Sequence, residues 1–144
     1  METTTIAGTQ VSRIGLGTWA IGGLEWGVVP DEAAIATCLA ALDHGINLID
    51  TAPIYGHGRS EEIIGRAIRA HGRRSDFYIA TKAGLEWNER GVFANSTLTR
   101  LRCELEDSLR RGRLRSRRAN PRQHAHPTAT RRRKSPHGLQ PFVA

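Results

Sequence analysis

The chain has 144 residues, enough for one domain of ordinary size and too few for two. Its net charge of +7 is uneven: residues 1–109 carry ten basic and fourteen acidic side chains, and residues 110–144 carry eleven basic and none acidic, so a core must come from the first part. Two cysteines without a disulfide framework or metal spacing, a start (METTTIAGTQ) with no basic leader and apolar core, and no run near ~18 apolar residues argue against a stapled extracellular scaffold, a metal site and a membrane span; a soluble, cytoplasmic protein is expected.

Residues 11–21, VSRIGLGTWAI, read as a short apolar strand whose glycines, Gly15 and Gly17, suit close approach of a backbone or ligand. A loop rich in Gly and Trp follows. Pro30, Asp31 and Glu32 open a helix, with acidic residues where the helix dipole favours them. Ile35, Cys38, Leu39 and Leu42 recur at helical spacing, and Gly45 is a stop. Residues 46–51, INLIDT, form a nearly continuous apolar run, as in a strand buried on both faces. Ser60 is placed to cap the next helix, whose stripe is Ile63, Ile64, Ala67 and Ile68, and Gly72 follows its end.

Residues 77–81, FYIAT, make a third strand with Lys82 at its C-terminal end. After a polar loop, Leu98, Leu101, Leu105 and Leu109 mark one face of a third helix, and both Cys38 and Cys103 are expected as small buried hydrophobes. Three strand-then-helix units in succession predict an α/β fold with a parallel sheet and right-handed crossovers.

Asp50 ends the second strand, Tyr55 follows in its loop, and Lys82 ends the third strand. Parallel α/β folds gather ligands and catalytic groups at strand C-termini, so the three can converge. A tyrosine, ordinarily with a pKa of ~10, becomes a useful acid beside a lysine ammonium, and an aspartate can keep that lysine charged and oriented. Such a trio can protonate a carbonyl oxygen while a hydride arrives at its carbon. The plainer alternatives are an Asp in a turn or cap, a packed loop Tyr and a surface Lys. His57, in the same loop as Tyr55, is placed either to touch substrate or to face solvent.

The segments IGLGTWAIGG, GINLIDTAPIYGHGRSEEIIGRAIR and FYIATKAGL carry a resemblance to the aldo-keto reductases over residues 11–111. The central segment joins an aspartate to a tyrosine at the family's spacing. The resemblance implies three βα units of an incomplete (β/α)8 TIM barrel, an NADPH cofactor and a small carbonyl substrate. It implies Tyr55 as general acid, Lys82 as the group that makes it acidic, and Asp50 as the partner of Lys82. It also implies Thr18 and Trp19 in the substrate pocket and Gly17, Thr18 and Asp50 under the cofactor; Trp26 and Trp87, in the loops after strands one and three, are placed either at the substrate mouth or in ordinary loop packing. The main dinucleotide site, which the family builds from its last strands, has no counterpart in this sequence. Gly15 with Gly17 does not make a dinucleotide fingerprint.

The family's fourth tetrad residue is a histidine in a segment resembling DYIDLYQxHWPD. This chain reads RLRSRRANPRQHAHP there, with Gln123, His124 and His126 out of register, and neither histidine takes the role. Residues 112–144 hold four prolines and no β-branched run, and are expected to be a basic, disordered segment rather than a second domain. Its origin is open to three readings: a polyanion-binding arm, a plain disordered terminus, or a shifted reading frame. The last is favoured by the abrupt switch to Arg, Pro, Ala, Gly and His. A nucleic-acid partner is not expected, because aromatic platforms and a recognition helix are missing.

Overall fold

A computed structural model describes residues 1–24 and 26–112. The expectations for the basic segment beyond Gly112, and for Gln123, His124 and His126, lie outside the described residues.

The first element is an antiparallel hairpin of β1 (Thr3–Ile6) and β2 (Thr9–Ser12), registered so that Ile6 faces Thr9. Ala7 and Gly8 form its two-residue turn, both at positive φ (48° and 76°), the handedness that matches strand twist. The sequence reading placed one strand over residues 11–21. Instead Val11 and Ser12 belong to this hairpin, and only β3 (Gly15–Gly17) joins the parallel sheet. The hairpin escaped notice because β1 is exposed along its whole length and carries no alternating pattern.

From β3 the chain forms α1 (Trp19–Gly22), α2 (Asp31–Asp43), β4 (Leu48–Asp50) and α3 (Arg59–His71), then a 3-10 turn at Arg74–Asp76 and β5 (Tyr78–Ala80). A second hairpin, β6 (Leu85–Asn88) with β7 (Gly91–Ala94), occupies the expected loop before α4 (Leu98–Arg111). The strands β3, β4 and β5 lie side by side in that order and all parallel, with Gly17 opposite Asp50 and Asp50 opposite Ala80. This is the α/β opening of a (β/α) barrel, and among the described residues its sheet does not close. Ile49 at the sheet centre is fully buried against the Ile63, Ile64 and Ala67 face of α3 and the Ala34 and Cys38 face of α2. Burial pushes the Cys38 thiol up to about 11, so it stays protonated in this core. Cys103, expected to be buried, is exposed.

Two further sequence expectations are corrected. Ser60 does not cap α3: Gly58, in the left-handed region, holds that position, and Ser60 sits fully buried in the first turn. On α4 the leucine stripe is not the inner face. Leu98 and Leu105 are 64% and 57% exposed, whereas Glu104 and Ser108 are 1% and 7% exposed. Glu104 is held inside because its Oε2 accepts a hydrogen bond from the Gly84 amide at 2.7 Å and its other oxygen lies 3.6 Å from Arg100 Nη2.

Asp31 joins α2 to α3. Hydrogen bonds from Arg59 and Arg66 hold its carboxyl below the ordinary carboxylate value of 3.8, against a smaller opposing effect of burial. A depressed carboxylate stabilises the fold above its unfolded value, and the gain is lost as pH falls from 3.8 toward the folded value. Unfolding midpoints measured at about pH 6 and about pH 3 should therefore fall less in Asp31→Asn than in the parent chain, because the variant has no carboxylate there to neutralise.

Candidate active site

The parallel register sets Asp50 and Ala80 side by side, so Lys82, two residues beyond Ala80, reaches back over the end of β4. Its Nζ donates to both Asp50 oxygens (2.9 and 2.8 Å), to the Thr51 carbonyl (3.0 Å) and to Tyr55 Oη (3.1 Å). It also stands 4.9 Å from the Tyr55 ring centre, near enough for a cation–π contact. Burial acts to lower the Lys82 pKa, but the hydrogen bonds and charges of Asp50 and Tyr55 outweigh it and hold the ammonium above its ordinary 10.5. Lys82 and Asp50 remain half exposed, so the cluster opens to solvent.

A run of buried hydroxyls supports this cluster from below. Thr18 Oγ1 donates to the Asp50 carbonyl at 2.8 Å, and that carbonyl also accepts from the Thr18 amide at 3.0 Å. With its hydrogen so used, Thr18 Oγ1 accepts from Ser60 Oγ at 2.8 Å, which leaves Thr51 Oγ1 to donate to Ser60 at 2.9 Å. The strand end carrying Asp50 is thus tied to α3 by one directional chain. Thr18, expected to line the pocket and the cofactor floor, is fully buried in this support. Gly17 is exposed, and a Cβ added there would meet nothing within 4 Å, so open space adjoins the Asp50 strand end.

The Tyr55 loop rests directly on α1, where Gly22 and Gly56 bring two backbones together without side chains between them. Arg59 braces the loop before α2: its guanidinium donates to the carbonyls of Ile21 and Val29 and to Asp31.

Aromatic rings surround the phenol. Trp19 stacks on Tyr55 at 6.0 Å between centres, and Trp26 meets Trp19 edge-on at 5.8 Å. Trp87 lies on β6, where it stacks on His57 at 4.9 Å and 6°. Trp19, Tyr55, His57 and Val92 help to line a recess of about 150 Å³. The sequence missed two features here. The His57–Trp87 stack joins residues thirty apart through an unforeseen hairpin, and Glu104, which anchors the Lys82 loop at Gly84, is hidden among leucines that suggested another inner face.

An unclosed parallel sheet with an Asp, a Lys and a Tyr gathered at its strand C-termini defines the class: the opening part of a (β/α) barrel with polar groups at its ligand-binding end. More specifically, the chain belongs to the Aldo/keto reductase family, whose model matches residues 13–116. It is 51% identical over 113 residues to the aldo-keto reductase YhdN of Bacillus subtilis (strain 168), a match covering 77% of this chain and 34% of the relative. Among solved structures it resembles the glycerol dehydrogenase AKR11B4 of Gluconobacter oxydans, with a TM-score of 0.68 and 51% identity over 78% of this chain and 36% of the other. An aldo-keto reductase of Klebsiella pneumoniae in complex with NADPH matches with a TM-score of 0.60 and 30% identity, over 79% of this chain and 37% of the other. The chain therefore spans about a third of the length of these relatives. No described helix is long and apolar enough to cross a membrane.

Proposed function

We propose that residues 1–112 carry the proton-donating part of a nicotinamide-dependent carbonyl reductase site, acting on small aldehydes or ketones. The observation that carries this reading is the placement of Lys82 Nζ 3.1 Å from Tyr55 Oη while both Asp50 oxygens grip it. In this reading Tyr55 is the general acid, donating its phenolic proton to the carbonyl oxygen as the carbonyl carbon accepts a hydride, which gives the alcohol. The Lys82 ammonium stabilises the phenolate left behind, and Asp50 keeps that ammonium in place and charged. In this reading Trp19, with Trp26 packed on its edge, and His57, with Trp87 stacked on it, offer apolar contacts to the substrate beside Tyr55. Thr18 supports Asp50 from beneath.

NADPH, when bound, supplies the hydride. The described residues fit only its nicotinamide end: Gly17 leaves room for a flat ring next to Asp50, and Thr18 fixes the strand end below it. The Klebsiella relative, solved with NADPH, supports that cofactor for the family.

The site is tested by grafting residues 1–112 in place of the matching segment of the Bacillus subtilis relative. The graft is expected to oxidise NADPH with a generic aldehyde, and Tyr55→Phe should lower its turnover about 100-fold. A folded graft that is inactive, or one indifferent to Tyr55→Phe, would sink the assignment. The 144-residue chain by itself is expected to show little or no turnover, since the parallel sheet of the described residues does not close into the shell that holds catalytic groups to a productive geometry. We further infer that the sequence beyond residue 112 comes from a shifted reading frame. Translating the DNA downstream of codon 110 in the other frames should recover a YIDL-like strand followed by a histidine, and a blank result in both would refute the shift.

A further inference from the structure

Glu104 of α4 occupies an inner position that an apolar side chain ordinarily fills. It is 1% exposed, its Oε1 has no hydrogen-bond partner among the described residues, and Arg100 Nη2 stands 3.6 Å from that oxygen. A buried carboxylate is costly unless it is paired and hydrogen-bonded, so an acid in this place has something specific to hold. Its one hydrogen bond goes to the backbone amide of Gly84, two residues beyond Lys82. We propose that Glu104 is a positioning residue for Lys82: by fixing the Gly84 amide it sets the turn from which Lys82 reaches Asp50 and Tyr55. The proposal deepens the proton-donor reading and rests on it for its place in the reaction.

The turn is held on both sides of Lys82. β5 ends at Ala80 and β6 begins at Leu85, so residues 81–84 belong to no strand. Before Lys82, Thr81 Oγ1 donates to Glu61 Oε1 at 2.8 Å. After it, the Gly84 amide donates to Glu104 Oε2 at 2.7 Å, and the Gly84 carbonyl accepts from the Asn95 amide at 2.9 Å. Gly84 has a φ of 98°, and a Cβ there would lie 2.8 Å from Ser96 Oγ, so this point is braced through its backbone and not through a side chain. Two nearly buried acids, Glu61 on α3 and Glu104 on α4, thus bracket the Lys82 backbone. Each faces an arginine of α4, Arg111 for Glu61 and Arg100 for Glu104. Arg100 Nη1 also lies 3.4 Å from Glu86 Oε1, and the other Glu86 oxygen accepts from Asn95 Nδ2 at 2.7 Å, so the same cluster grips the base of the β6–β7 hairpin.

A lysine needs such a bracket. Its long side chain gives up much rotamer freedom when the ammonium is fixed. Lys82 Nζ meets Asp50, the Thr51 carbonyl and Tyr55 Oη together only while its own Cα stays in one place. The sheet fixes Ala80, whose carbonyl accepts from the Thr51 amide, but the ladder stops there. Beyond it the charge-assisted bond from Gly84 to Glu104 is the stronger kind of anchor. Without that bond the Gly84 amide is a buried donor lacking an acceptor, and the turn shifts to find one, carrying Lys82 with it.

The test labels the full 144-residue chain with acetic anhydride and compares Lys82 with Lys134, its other lysine, by peptide mass spectrometry. Only the unprotonated amine reacts, so the acceptors that hold the Lys82 ammonium suppress its labelling. Glu104→Asp keeps the charge but draws the carboxylate back by one methylene, out of reach of Gly84, and should raise the Lys82 labelling rate at least about threefold. Glu104→Gln loses the charge but keeps an acceptor for the Gly84 amide, and should label at the parent rate. In both variants the Tyr78 amide, bonded to Asn47 O between β5 and β4, should keep its protection from hydrogen exchange. A parent rate in Glu104→Asp, an equal rise in both variants, or a rise accompanied by loss of Tyr78 protection would each overturn the proposal. Labelling needs neither cofactor nor substrate. An inactive graft with the expected labelling would count against the proton-donor reading and leave Glu104 as the residue that places Lys82; an active graft with labelling unmoved would do the reverse.

Discussion

Replacing Arg111 with Met should lower the unfolding free energy by about 3–5 kcal/mol, measured by denaturant titration followed through tryptophan fluorescence. Arg111 Nε donates to Glu61 Oε2 at 2.7 Å, and the Glu61 side chain is only 4% exposed while that of Arg111 is 19% exposed. The other Glu61 oxygen accepts from Thr81 Oγ1 at 2.8 Å, which is a neutral donor and cannot balance the charge. Without Arg111 a nearly buried carboxylate is left without its ionic partner between α3, β5 and α4. The arginine shaft also lies across Gly58 at the start of α3, where even a Cβ would come within 2.5 Å of it, so the variant loses packing as well as charge. A domain of about 110 residues is stabilised by about 5–15 kcal/mol, so this loss is a large fraction of the total and the variant's denaturant midpoint should fall well below the parent's. The double variant Glu61→Gln with Arg111→Met should recover part of the loss, because the uncompensated charge is gone. If the single variant unfolds with the parent midpoint, the pair does not hold the helices together.

The same ion pair shows how unevenly the fold could be read from the residues. Residues 46–51 and 77–81 were recognisable as strands from their nearly continuous apolar runs, although of β4 only Ile49 is buried and β5 is half-buried along its length, so neither is covered on both faces. Gly45 and Gly72 were readable as helix stops because the left-handed turns there (φ 79° and 86°) favour glycine. Glu61 and Arg111, fifty residues apart, have no local pattern that marks them as partners. The two hairpins were missed for a related reason, since β1 and β7 are exposed throughout and have no inner face to impose alternation.

On α4 the periodic leucines were real, but a period identifies a face and not what covers it. The described residues cover the adjoining face, where Glu104 and Ser108 are buried. At the candidate site the strand-end rule was enough to select Asp50 and Lys82. Their meeting depends on the register that puts Asp50 beside Ala80, and spacing along the chain does not contain that register. Ser60 had a plausible local role as a cap, and its tertiary bonds to Thr18 and Thr51 displaced that role.

Gly56→Ala is expected to cost about 2–5 kcal/mol, of which about 1–2 comes from placing a side chain in the left-handed region and about 1–3 from overpacking. Gly56 sits at φ 65°, and a Cβ there would fall 2.2 Å from the Gly22 carbonyl oxygen and 2.7 Å from Gly22 Cα. Neither atom belongs to a flexible side chain, so the backbone must move. The converse contact is equally tight, since a Cβ on Gly22 would lie 2.6 Å from Gly56 N and from the Tyr55 carbonyl carbon. The part of the molecule able to yield is the Tyr55 loop, because α1 is also held by the Arg59 bond to Ile21 O. Tyr55 Oη would then leave its 3.1 Å contact with Lys82, and the phenol would lose its stacking on Trp19. In the grafted enzyme the same substitution should lower turnover with aldehyde by more than it raises KM, because a displacement of about 1 Å at the proton donor can cost ~100-fold in rate while substrate can still enter the mouth. Equal stability and equal turnover for Gly56→Ala would show that the loop has room to relax, and that the close backbone approach does not hold Tyr55 in position.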